Sequence, residues 1–226
     1  MSEKKKIRSI CVDTLTQIQE NSYMTDKKKA NHDKWFDYGQ EVYGFLVALQ
    51  ELGFECILVL GNPGTGKSTG QRTLEPGTHI WYNADNKNPV WIGGREVFGK
   101  KTNPKPNLHV IPKTYQEIIN HIKGGIQAGM FEEDRYAFLT GHVETYKQGL
   151  DTKARLKTLG QLNNKMQVEG KLETVFYSTV EIEDGERKYL LEAQSDGIHS
   201  ARSPQGLFED KIPNDYQFVL DKLINY

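Results

Sequence analysis

Cysteine is scarce in this chain. Cys11 and Cys56 are the only two in 226 residues, and both sit inside apolar runs. Two such thiols do not make the disulfide framework of a small secreted domain, so the expected setting is reducing and cytoplasmic. Long apolar runs are also missing. The best, Cys56-Ile57-Leu58-Val59-Leu60, falls far short of the roughly 20 residues that cross a bilayer. The opening Met1-Ser2-Glu3-Lys4-Lys5-Lys6 lacks the apolar stretch of a signal peptide, and no membrane partner is expected. Nor is there an excess of either charge: 29 Lys and Arg stand against 30 Asp and Glu, a formal net charge of −1. This excludes a polybasic binder whose whole surface attracts nucleic acid; any such contact must come from local patches. What is present is a globular composition, 37% hydrophobic and 26% charged, with room for a single domain over 1–226.

Apolar runs and helical spacings alternate along the chain. Ile7 to Asp13 reads as a strand whose apolar residues run up to one carboxylate. Residues 20–34 are polar and Lys-rich, an exposed loop. Trp35, Tyr38, Val42, Phe45, Leu46, Leu49 and Leu52 recur at helical spacing, and Gly53 is placed to end that helix. Phe54 to Leu60 is continuously apolar, as in a parallel strand covered on both faces. Thr78 to Asn83 and Leu108 to Ile111 read as strands, with a Gly-, Lys- and Pro-rich surface loop from Gly93 to Asn107 between them. Thr114 and Glu117 form a capping box for a helix burying Ile118, Ile119 and Ile122, broken by Gly124, Gly125 and Gly129. Tyr136 to Thr140 is a further strand. Two strand-like stretches, Thr174 to Ile182 and Arg187 to Ala193, flank the hairpin signal Asp184-Gly185. Pro213-Asn214-Asp215 starts a closing helix. The pattern implies an α/β fold, a mostly parallel central sheet flanked by helices, with a C-terminal β-hairpin extension over part of 174–226.

The strongest chemical signal is Gly61-Asn62-Pro63-Gly64-Thr65-Gly66-Lys67-Ser68, which fits G-x-x-x-x-G-K-[ST] at every position. Glycines let the backbone wrap a phosphate with its N–H groups inward. Lys67 would reach the β- and γ-phosphates, Ser68 would ligate Mg²⁺, and a helix beginning there would turn its positive end to the anion. ATP and Mg²⁺ are therefore the expected cofactors. Such a loop needs a carboxylate from a neighbouring strand for the metal, and Asp13 has that form. Asp85, in Tyr82-Asn83-Ala84-Asp85-Asn86, and Glu144 are candidates for orienting the attacking water. His142 ends the sensor strand over 136–142 and is a candidate sensor of the γ-phosphate.

Together these residues resemble the RecA-like P-loop ATPases of bacteriophages, of the single-strand-annealing and recombination type. The resemblance rests on Gly61 to Thr69, on Ser9 to Gln17 as a Walker B-like strand, and on Leu139 to Glu144 as a sensor strand. Two C-terminal stretches add to it: Asp196 to Pro204, and Gly206-Leu207-Phe208 with Ile212-Pro213-Asn214-Asp215. It implies an ATPase acting on single-stranded DNA in the host cytoplasm, assembled as a homo-oligomeric ring or filament, with Arg202 reaching a neighbour's nucleotide. One departure stands out. In that family the P-loop precedes the Walker B strand, whereas here Asp13 precedes Lys67, as though the first and third blocks had changed places. Both apolar strands, Phe54 to Leu60 and Tyr136 to Thr140, are then expected to stay central and parallel.

For DNA, the basic patches are Lys4-Lys5-Lys6-Arg8, Lys27-Lys28-Lys29 and Lys100-Lys101 with Lys105. Tyr23, Trp35 and Phe36 lie near the second and could stack on bases. Two rivals share the loop. A small-molecule or nucleotide kinase would need an Arg-rich lid, and no arginines cluster near the middle of the chain. A non-catalytic nucleotide-binding or structural protein would hold ATP without turning it over.

Overall fold

Strands that are apolar at every position need cover on both faces, and the computed structural model supplies it. It describes residues 5–25, 34–158 and 168–226. The first half runs β1 (Ile7–Asp13), α1 (Leu15–Thr25), α2 (Lys34–Glu51), β2 (Phe54–Leu60), a 3₁₀ helix at Lys67–Thr73 and β3 (His79–Asn83). After it come α3 (Gly94–Phe98), the short pair β4 (Gly99–Lys100) and β5 (Asn103–Pro104), then β6 (His109–Val110) and α4 (Tyr115–Gln127). The second half holds β7 (Phe131–Gly141), β8 (Val143–Gln148), β9 (Asp151–Leu156), β10 (Thr174–Glu183), β11 (Glu186–Glu192), β12 (Lys211–Pro213) and α5 (Tyr216–Ile224).

Eight strands form one sheet in the order β12-β11-β10-β2-β7-β1-β3-β6. The six from β10 to β6 are mutually parallel, and β11 and β12 join antiparallel at one edge. Side chains alternate between two cores, as the pleat requires. Ile10, Val12, Leu58, Leu60, Ala137 and Leu139 face α1, α2 and α4. Cys11, Ile57, Val59, Phe138 and Phe176 face Phe98, Phe208 and α5 on the other side. Both cysteines are buried and unpaired. No described helix is long and apolar enough to cross a membrane.

The two apolar strands expected to be central are neighbours, with Leu58 opposite Leu139 and Leu60 opposite Gly141. Gly53 ends α2 at φ 78°, and Asp184-Gly185 turns the β10–β11 hairpin with both residues at positive φ. Three expectations need correction. The stretch from Gly93 to Asn107 is no simple loop: it folds into α3 and the β4–β5 pair because Phe98 is 1% exposed in the core. Gly124 and Gly125 do not break α4, which runs on to Gln127, because the Phe131 ring packs against Gly125 and rewards the missing side chain. The polar stretch after residue 20 is helical as far as Thr25.

Candidate functional site

The parallel strands β2, β7, β1 and β3 end on one edge of the sheet, and Asp13 closes β1 level with Asn83 on β3. The Gly61–Ser68 loop leaves β2 at the same edge. Ligands of open α/β sheets bind outside these carboxyl ends, and a cleft of about 320 Å³ opens there, lined by Asp13, Gly64, Gly66, Ser68, Thr69 and Asp85 among others.

Side chains from far along the chain shape the loop. Ser178 Oγ donates to Thr65 O at 2.5 Å, Asn214 Nδ2 to Gly66 O at 2.7 Å, and Tyr216 OH to Lys67 O at 2.6 Å. Thr69 Oγ1 adds a bond to Gly66 O at 2.7 Å. These contacts take carbonyl oxygens of the loop rather than its N–H groups. Gly66 has φ 90°, and a Cβ there would stand 2.7 Å from the Tyr189 ring and 2.9 Å from Asn214 Nδ2. The loop runs into a tight 3₁₀ helix of seven residues, not the α-helix expected, and Tyr216 and Asn214 crowd its Gly70.

Lys67 is 6% exposed. Its Nζ donates to Gly61 O at 2.8 Å and to Asn62 O at 2.9 Å, so the ammonium folds back onto its own loop. Burial lowers its pKa to about 8, against the opposing pull of Asp13 and Asp85. Asp13 is 4% exposed. Thr140 Oγ1 donates to Asp13 Oδ1 at 2.7 Å, and the Ser68 hydroxyl lies near enough to favour the ionised carboxyl. Burial raises the Asp13 pKa, while the two hydroxyls and Lys67 work against that rise. Asp13 and Ser68 line the same cleft, and Thr140 fixes the carboxylate there from the end of β7.

Asp85 stands opposite on the turn after β3. Asn83, fully buried, holds that turn by donating Nδ2 to Lys87 O at 2.6 Å and accepting Lys87 N–H at 3.2 Å. Since Asn83 Nδ2 also faces His109 Nε2 at 3.0 Å, that nitrogen is the acceptor, and His109 Nδ1 donates to Phe98 O at 3.1 Å. Lys87 Nζ pairs with Asp85 Oδ2 at 2.6 Å.

The remaining candidates do not line the cleft. His142 is half-buried next to the end of β7; burial and then the Lys67 charge lower its pKa, and its Nδ1 has no hydrogen-bond partner. Glu144 is on the β8–β9 hairpin, where Arg155 Nε donates to its Oε1 at 2.8 Å. Arg202 bridges its backbone to Val175 and sends Nη2 to Glu169 O. Neither Glu144 nor Arg202 lines the cleft. Among the basic patches, Lys5 and Lys6 pair with Glu75 and Glu132. Lys4 and Lys27-Lys28-Lys29 lie outside the described residues, as do the side chains of Tyr23, Trp35 and Phe36.

Motif spacing does not point to Ser178, Asn214, Tyr216, Tyr189, Thr140 or Lys87. Asn214 and Tyr216 are visible in sequence only as the start of a helix, and Thr140 only as the end of a strand. Compared with protein-family models, with curated proteins and with solved structures, the chain finds no match.

Proposed function

We propose that this is a RecA-like P-loop ATPase that binds and hydrolyses ATP with Mg²⁺ and acts on single-stranded DNA. One observation carries the reading. Asp13 and Ser68, 55 positions apart in sequence, line one cleft, and the neighbouring Lys67 is close enough to Asp13 for the two charges to act on each other. A phosphate loop without a metal site would have no use for that acid.

The donor set suits the cofactors. Ser68 Oγ and Asp13 are hard oxygen donors of the kind Mg²⁺ takes, with room left for water ligands. Such an ion, held by Ser68 and Asp13, would supply positive charge to offset that of the phosphates. Lys67 would release Gly61 O and Asn62 O and turn its ammonium to the phosphate oxygens. Thr140 keeps Asp13 oriented. Asp85 is the carboxylate facing the cleft that could orient a water, once Lys87 swings away. His142 would contact the γ-phosphate side through its unpaired Nδ1.

Single-stranded DNA and a ring or filament belong to the same proposal and rest on the resemblance, with Lys100, Lys101 and Lys105 as the described basic patch. Arg202 would act on a neighbour's nucleotide only by leaving Glu169 O. The test is ATP turnover by the full chain with and without single-stranded DNA. Stimulation by DNA, lost in Lys67→Ala, is expected; normal hydrolysis by Lys67→Ala would overturn the reading.

A further inference from the structure

A second group of donors converges away from the cleft, where β11 runs into the loop after it. His199 Nδ1 lies 3.0 Å from Asp196 Oδ2 and 3.3 Å from Glu192 Oε2, and the three donor atoms all lie within 4.8 Å of one another. None of the three residues lines the cleft of Asp13 and Ser68.

The spacing is that of ligands about one ion. Donors at roughly 2.1 Å from a cation are about 3.0 Å apart in an octahedral shell and about 3.4 Å apart in a tetrahedral one. A second observation concerns burial and alignment. His199 Nδ1 and Glu192 Oε2 are both shut off from solvent, and although they face each other at ion-pair distance neither makes a well-aligned hydrogen bond. Buried polar atoms left poorly satisfied are costly, and such a pair calls for an explanation. A cation between them satisfies both at once.

The surroundings hold the donors in place. Asp196 Oδ1 accepts the N–H groups of Ile198 and His199, which leaves Oδ2 free to point inward. The His199 ring packs on Tyr177 at 4.4 Å. Lys211 stays 3.9 Å from the other oxygen of Glu192 and pairs with Glu181 at 2.6 Å. Its charge thus lies on the outer side of Glu192.

We infer that Glu192, Asp196 and His199 form a metal site for a divalent cation of zinc's class, with water completing the shell. One imidazole and two carboxylates favour such an ion over Mg²⁺, which seldom takes nitrogen. The loop is bonded to β9 through Ala154 N to Ile198 O at 3.0 Å, so the ion would fasten the β8–β9 hairpin to the edge of the sheet.

The test is calorimetric titration of the chelator-treated full chain with ZnCl₂, repeated in excess MgCl₂, with the visible spectrum of the Co²⁺-loaded protein as a second readout. One equivalent of Zn²⁺ is expected, unaffected by Mg²⁺ and unchanged in Lys67→Ala. Asp196→Asn, which keeps the Oδ1 acceptor, and His199→Gln should each weaken uptake by about tenfold or more. A Co²⁺ spectrum lacking the signature of nitrogen coordination would overturn the site. So would no Zn²⁺ uptake, or uptake indifferent to both substitutions; His199 would then be an imidazolium between two carboxylates.

Discussion

The two walls of the cleft are built differently. The wall from β1 and β3 carries charge: Asp13, Asp85 and Lys87. The wall from β10, β11 and α5 is neutral. Ser178, Asn214 and Tyr216 hold the loop by single hydrogen bonds to its carbonyls, and Tyr189 closes on Gly66. On the proposed reading, one wall would supply the chemistry and the other would fix the backbone on which that chemistry depends. Substitutions on the charged wall should therefore alter activity more than stability, and those on the neutral wall the reverse.

Five experiments put that division at risk, in descending order of effect. Lys67→Ala should cost about 1.5–3 kcal/mol of ATP binding, roughly 10- to 150-fold in affinity by equilibrium titration, because a charged hydrogen-bond donor is lost. Asp13→Asn should lower Mg²⁺-dependent turnover by about 100-fold. The same variant should melt higher than the parent without nucleotide. Burial raises the Asp13 pKa, so ionising this carboxyl costs more in the folded chain than in the unfolded one, and that destabilisation grows as pH rises from the unfolded value towards the native one. A lower melting temperature would move Asp13 to the structural wall.

Gly70→Ala tests the neutral wall. Its Cβ would come 2.3 Å from the Tyr216 ring, which stacks on Phe138 at 4.3 Å. A loss of about 1–3 kcal/mol in denaturant unfolding is expected. The pH dependence returns to Lys67. Its native pKa of about 8 lies below the ordinary 10.5, so between those values the unfolded chain binds the extra proton. Stability of the ligand-free protein should then rise with pH across that window, by up to a few kcal/mol, and Lys67→Met should lack the rise. Tyr216→Phe removes one bond to Lys67 O and should cost about 1 kcal/mol of stability with little change in turnover.

The division also explains what could be read from the chain alone. Continuous apolar runs announce β2 and the end of β7, because a strand buried on both faces has no polar position to spare. Gly61 to Ser68 is visible because its residues are consecutive, and Asp13 because a single carboxylate ends an apolar strand. The neutral wall has no such signature. Ser178, Asn214 and Tyr216 act on carbonyls 113, 148 and 149 positions away, and ordinary polar residues carry no mark of a distant partner. Phe98 is hidden for the same reason: the pair Val97-Phe98 among Gly, Lys and Pro shows no period, yet Phe98 anchors α3. The level ends of β2, β7, β1 and β3, on which the meeting of Asp13 with Ser68 depends, are set by pairing and not by any one segment.

The folded-back Lys67 has a consequence of its own. If the loop holds a phosphate as proposed, Gly61 O and Asn62 O would act as a tethered competitor, always present at the same effective concentration. An anion entering the loop would have to displace them, so its affinity would be the difference between two embraces of one ammonium group. A change that spoils the internal embrace without touching the outer one would tighten binding. The loop's carbonyls, not only its N–H groups, would then set the threshold concentration at which the site fills.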